Sequence, residues 1–217
     1  DNKIDKFYNS MEIALREDDE NNIKTPNIYD HIYDLHGLYI TTNADTHFDR
    51  LFDPLNIIYD PLEFTIQKID STNIYHIHGS IKDKESLVFT VSKYMRRYTN
   101  SKYDKFRNFL RTIFREYTVL FLGYGLAEFE LLDFILEEKE SKNNQHFMLS
   151  PYYQNEINIL NYEQKYYNDL GINVLPYEKD NIGYRQLEKV IKKWSDEIED
   201  VTNVLPKQAN LIDEAVE

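Results

Sequence analysis

A chain of 217 residues, 41% hydrophobic and 14% aromatic, is long and apolar enough to bury a core, which excludes an intrinsically disordered class. Its net charge of −13 repels phosphates, so direct DNA or RNA binding is not expected outside a local basic patch such as Arg96-Arg97. It has no cysteine, which excludes disulfides and thiolate zinc sites, and it shows neither a bilayer-length apolar run nor a signal peptide, so the expected location is a reducing cytoplasm away from membranes.

Helical spacing of Ile4, Phe7, Tyr8, Met11, Ala14 and Leu15 predicts a helix over 4–16, followed by a polar loop over 18–22. Pro26 opens a second helix with Ile28, Ile32 and Leu35 on one face, and Gly37 stops it. Residues 1–36 are therefore expected to be helical cover for a sheet. From Leu38 onward strand and helix alternate. A strand over 38–42 leads to a short helix over 45–52, with Asp45 as its N-cap and Pro54 beyond its end. A strand over 74–78 and a strand-like segment over 87–90 precede helices at 92–98 and 103–116. The second of these carries the apolar stripe Phe106, Leu110, Ile113, Phe114 and Tyr117. The strand over 118–122 is almost wholly apolar, as expected when both faces are buried. Helix 127–140, strand 145–149, helix 153–169, strand 172–175 and helix 183–199 complete the series, the last with Leu187, Val190, Ile191 and Trp194 inward. Residues 201–217 read as a tail or linker. This alternation predicts an α/β fold, a doubly wound, mostly parallel sheet of Rossmann-like type.

Three strands end in complementary chemistry. Thr41-Thr42-Asn43-Ala-Asp45, His78-Gly79 and Gly123-Tyr124-Gly125 all fall at carboxyl ends, where open α/β sheets bind ligands. In that order the three motifs resemble the sirtuin (silent information regulator) NAD-binding fold, and more closely its bacterial branch in phage-defence proteins. Leu87-Val-Phe-Thr90 followed by Tyr94, Leu122 through Glu128, and Val174-Leu-Pro-Tyr177 are similar to further segments of that branch, so the resemblance runs from about residue 35 to residue 195, inside a domain drawn at 1–200. It implies NAD as substrate. Members of the family either deacylate lysine with NAD or hydrolyse NAD to nicotinamide and ADP-ribose. Carried over, the catalytic pair is Asn43 and His78, with cofactor contacts at Thr41, Thr42, Asp45, Gly79, Gly123, Tyr124, Gly125 and Glu128. It further implies a homo-oligomer or a partner protein in a defence complex. The expected activity is that of an NAD hydrolase acting in antiphage abortive infection. A non-catalytic NAD or ADP-ribose module, or one that only oligomerises, and an NAD-dependent deacylase are the alternatives.

Three departures accompany the resemblance. The family's opening Gly-Ala-Gly loop and its strand-loop-helix are not found here and are expected upstream of Asp1. The four-cysteine zinc module of the deacylases is absent. Gly125 stands where many relatives carry a hydroxyl.

The residues themselves leave alternatives open. Asn43 offers an acceptor and two donors to a ribose hydroxyl and a water, or closes an Asx turn. His78 is a base toward a ribose hydroxyl or the attacking water, or a packed strand histidine. His76 is expected on the same face as His78, and Gly79 makes His78 the preferred base. Asp45 is as well suited to capping as to ribose. Asp49 reads as an ordinary helix residue, His47 as surface, and His31 and His36 as non-ligands. Tyr124 covers the turn in preference to adenine. Glu128 and Glu130 suit a ribose hydroxyl or capping better than a phosphate. No spacing of His, Asp and Glu suggests a metal.

Overall fold

A computed structural model describes residues 2–15, 27–125, 129–139 and 145–214. In chain order these form α1 (Asn2–Leu15), α2 (Ile28–Tyr33), β1 (Tyr39–Thr41), β2 (Ile57–Ile58), β3 (Ile74–His76), α3 (Val91–Thr99), α4 (Asp104–Glu116), β4 (Leu120–Phe121), α5 (Phe129–Lys139), β5 (His146–Tyr152), α6 (Ile157–Asp169), β6 (Ile172–Glu178) and α7 (Arg185–Glu214). The strands make two three-stranded sheets, ordered β1-β3-β2 and β4-β5-β6. Every pairing is parallel. Parallel sheets flanked by helices are the Rossmann-like α/β arrangement that the strand–helix alternation predicts.

Alternation along each strand sends neighbouring side chains to opposite faces. Tyr75, Phe121, Met148 and Ile172 join one cluster, with Phe106, Phe109, Leu110 and Ile113 of α4 and Leu131, Phe134 and Ile135 of α5. The residues next to them turn the other way. Ile74 meets Tyr39 and Phe52, with Phe48 and Leu51 against them. Leu149 and Tyr177 meet Ile191 of α7, with Leu187, Val190 and Trp194 packed around them. Ile32 of α2 touches both of these last clusters, so one short helix joins the cover of the two sheets.

Several boundaries differ from expectation. Pro26 and the loop over 18–22 lie outside the described residues. Asn27 caps α2 through a capping box with Asp30. The helix ends at Tyr33, and the residue that takes the left-handed turn is His36 (φ 55°), not Gly37. The helix expected over 45–52 shrinks to a 3-10 turn at Asp49–Leu51. Asp45 does not cap it. Its Oδ1 accepts from the His47 N–H (3.1 Å), closing an Asx turn instead. β3 stops at His76, two residues early. Segment 87–90 forms no strand, although the Val88 N–H donates to the His78 carbonyl (3.0 Å). β2 has no counterpart in the expected series, being only two residues long. α7 continues to Glu214, through most of the stretch read as tail or linker.

Phe109 is fully buried, its ring 4.9 Å from that of Tyr75 and 5.2 Å from that of Phe64. Phe109→Ala is expected to destabilise the fold by about 3–5 kcal/mol, as measured by urea titration, because the aromatic cage cannot collapse onto the void.

Candidate active site

β1 and β3 lie side by side with Thr41 opposite His76. Two residues further along each chain stand Asn43 and His78, at the same carboxyl edge. Backbone bonds carry the contact past the strands. The Ile77 N–H donates to the Thr41 carbonyl (3.0 Å) and the Ile81 N–H to the Ala44 carbonyl (2.9 Å). The Asn43 N–H is held by Thr41 Oγ1 (3.0 Å), which leaves the Asn43 amide side chain exposed. Thr42 and Asp45 sit half-buried in the same loop. The structure thus brings the Thr41–Asp45 loop against the His78-Gly79 turn.

His78 is half-buried, its ring edge-on to Tyr94 of α3 at 5.9 Å. Gly79 beside it has φ +80°, and a Cβ there would lie 2.2 Å from the Ser86 carbonyl oxygen. Only glycine fits so close a turn. Arg97, 4% exposed, braces the turn from below: it donates to the Ile77 carbonyl (2.6 Å) and the Ser86 carbonyl (3.0 Å). Burial lowers the pKa of this guanidinium, which nonetheless stays protonated. The Arg96-Arg97 pair is therefore no basic surface patch. One member is buried and engaged with the main chain. Gly79→Ala is expected to cost more than about 1 kcal/mol, seen as a lower urea midpoint. An unchanged midpoint would mean that the turn relaxes freely.

His76 and His78 do not share a face. The strand ends at His76, and the turn that follows swings His78 toward α3. His76, 1% exposed, faces the loop after β1. Its Nδ1 lies 3.1 Å from the Asn43 carbonyl oxygen and its Nε2 lies 2.7 Å from Asp49 Oδ1. Asp49 is 3% exposed, and its Oδ2 accepts from Lys82 Nζ (3.3 Å). Asp49 is thus no ordinary helix residue. Neither it nor Lys82 stands out as a site residue in the sequence. The available signal is slight, a carboxylate between Phe48 and Leu51-Phe52 that shares the segment with Arg50. Burial alone would raise the Asp49 carboxyl. Its bond to His76, the charge of that ring and the Lys82 ammonium together outweigh burial and hold it below the ordinary carboxylate range. A lowered native pKa means stability that is present above the unfolded value, about 3.9, and is lost as pH falls through the native value. Asp49→Asn is therefore expected to trail the parent by about 1–3 kcal/mol at neutral pH, the gap closing below roughly pH 4. Urea titrations across that range measure it, and a gap independent of pH would refute the linkage.

The third motif lies at the other sheet. Gly123 leaves β4 with φ +62°, and the Tyr124 ring stacks on Phe121 (6.0 Å, 21°). Gly123, Tyr124 and Gly125 rim a cavity of about 550 Å³, which the ends of β5 and β6 continue through Ser150, Tyr152, Tyr177 and Lys179. That volume suits a small molecule. Glu163 enters it from α6, its Oε2 accepting from Ser150 Oγ (3.2 Å). The Lys179 ammonium lies over the rings of Tyr153 and Tyr184, at 4.3 and 4.6 Å. Sequence reasoning named none of these β5 and β6 residues as ligands, because only the fold gathers them. Asn43 and His78 do not line this cavity, and Glu128 lies outside the described residues. Among the described residues no group of three or more His, Asp or Glu is placed to hold a metal, and no helix is long and apolar enough to cross a membrane.

A family profile described as "SIR2-like domain" matches residues 37–175. That span holds every motif from Thr41 to Gly125 and ends inside β6. No curated protein matches the chain.

Proposed function

Because the chain belongs to the SIR2-like domain family, whose members act on NAD, we propose that it is an NAD glycohydrolase that releases nicotinamide and ADP-ribose. The observation that carries this reading is the meeting of the Asn43 and His78 loops at the common carboxyl edge of β1 and β3. The cavity beside Gly123-Tyr124-Gly125 lies at the carboxyl ends of β4 to β6 and has room for the adenosine half. Tyrosine faces suit a purine there, and the Glu163 carboxylate suits a ribose diol.

Nicotinamide leaves a cationic precursor, so the C1′–N bond breaks with its electron pair going to the ring and with little need for an acid. The sugar carbon becomes oxocarbenium-like, and a water oxygen bonds to it. The site must place that water and take its proton. In this reading the Asn43 amide orients the ribose hydroxyl and the water. His78 accepts the proton and passes it to solvent. Thr41, Thr42 and Asp45 shape the loop under Asn43, and Gly79 keeps the backbone low enough for the sugar to approach.

The likeness to the phage-defence branch supports an effector role in bacterial cytoplasm, in which loss of NAD halts cell and phage together, with self-assembly or a partner protein controlling it. One observation favours a second reading, a module that binds NAD or ADP-ribose without chemistry: the cavity is lined by the second sheet with α6 and α7, and neither Asn43 nor His78 reaches it. Calorimetry with both ligands beside a nicotinamide assay separates the two, since binding without product supports the module. Deacylation would show as nicotinamide release that depends on an acylated peptide.

Asn43→Ala and His78→Ala are each expected to lower nicotinamide release by about 100-fold or more, the range of a lost general base or positioning group. Circular dichroism should be unchanged for Asn43→Ala, whose side chain is exposed, and serves as the fold control for His78→Ala, whose ring is half-buried against Tyr94. Undiminished turnover in either variant would overturn the assignment.

A further inference from the structure

His76 sits directly beneath the proposed catalytic loop, yet it cannot act on a substrate. It is 1% exposed and both ring nitrogens are engaged. A carbonyl oxygen only accepts, so Nδ1 carries a proton and donates it to Asn43. At 2.7 Å, Nε2 and a carboxylate oxygen would oppose lone pairs unless a proton lay between them. One proton is therefore shared by His76 and Asp49, and the Lys82 ammonium neutralises the far side of the carboxylate.

The three residues come from three places. Asp49 belongs to the chain that leaves Asn43. Lys82 belongs to the chain that leaves His78 and Gly79. His76 is the last residue of β3. Together they bolt the loop bearing Asn43 to the loop bearing His78. Stability alone is a poor explanation, because a buried ion pair is often matched or bettered by well-packed apolar groups. Location is a better one: the pair spans the two segments whose spacing decides whether an amide and an imidazole reach one sugar.

We infer that His76 is a positioning residue which, clamped by Asp49 and Lys82, holds the Asn43 peptide and sets the separation of Asn43 from His78. The inference rests on the hydrolase reading for its catalytic consequence, but not for its structural one. Transition-state geometry is affected more than ground-state binding.

The test compares the full chain with His76→Gln, Lys82→Met and Lys82→Arg, by nicotinamide release and by amide hydrogen exchange. His76→Gln is expected to lower kcat about 10–100-fold while KM for NAD moves less than about threefold. Exchange should quicken in segments 41–49 and 77–83 and nowhere else. Lys82 is 51% exposed, so its variants keep the fold even if His76→Gln does not. Lys82→Met should lower kcat about 3–10-fold, and Lys82→Arg should retain it. Unchanged kcat in both His76→Gln and Lys82→Met overturns the inference. Faster exchange spread over the whole domain overturns it too, since that marks a merely structural role. If the parent binds NAD and releases no nicotinamide, the hydrolase reading falls by itself. The exchange pattern then still decides the anchor, local loosening upholding it and uniform loosening rejecting it.

Discussion

β1 and β3 run parallel and stop at the same level, and most of the site's chemistry follows from that. Parallel neighbours deliver their following loops to one edge, where unpaired main-chain groups must find partners. Here they find each other: Thr41 with Ile77, Ala44 with Ile81, and the Asn43 carbonyl with the His76 ring. The edge is therefore an ordered platform rather than two independent loops. Arg97 continues the same logic one layer away, donating to two carbonyls around the Gly79 turn, with its guanidinium near the rings of Tyr103 and Phe106.

The charge distribution fits such a platform. The chain is strongly acidic overall, yet two of its cations, Arg97 and Lys82, lie against the β3 edge and are engaged there. Arg97 is wholly withdrawn from solvent, whereas Lys82 keeps about half its side chain in water. One braces the backbone from inside, and the other balances the Asp49 carboxylate from outside. A net charge counted over the whole chain conceals this local arrangement.

Much of the fold was legible in the sequence because its long apolar runs have one good solution. The stripe Phe106, Leu110, Ile113 and Phe114 gave α4, and the strand–helix alternation gave parallel pairing. The placement of two strand-end motifs was legible as well, since Asn43 and His78 occupy matching positions beyond paired strands, whereas Gly123-Tyr124-Gly125 lies at the other sheet. What could not be read was side-chain direction. Period-two reasoning put His76 and His78 on one face, but a strand that ends at His76 breaks the period, and the two rings part. The same limit hid Asp49 and Arg97. A charge is placed inside or outside by partners distant in sequence, and neither His76 nor the Ser86 carbonyl can be matched to them without the fold. β2 escaped because a two-residue strand after Pro54 carries no period at all.

The position of Trp194 has a practical consequence for spectroscopy. It is the chain's single tryptophan, and it packs with Leu187, Val190 and Leu175 on the layer covered by α7. Its emission will therefore follow the detachment of that helical layer. The β1–β3 edge has an aromatic reporter of its own in Tyr94, beside His78. The cavity beside Gly123-Tyr124-Gly125 is lined by Leu149, Tyr177 and Leu187 of the same cluster, so an adenosine seated there would be felt at Trp194, and a flat tryptophan signal during a nucleotide titration would speak for a ligand held at the β1–β3 edge alone.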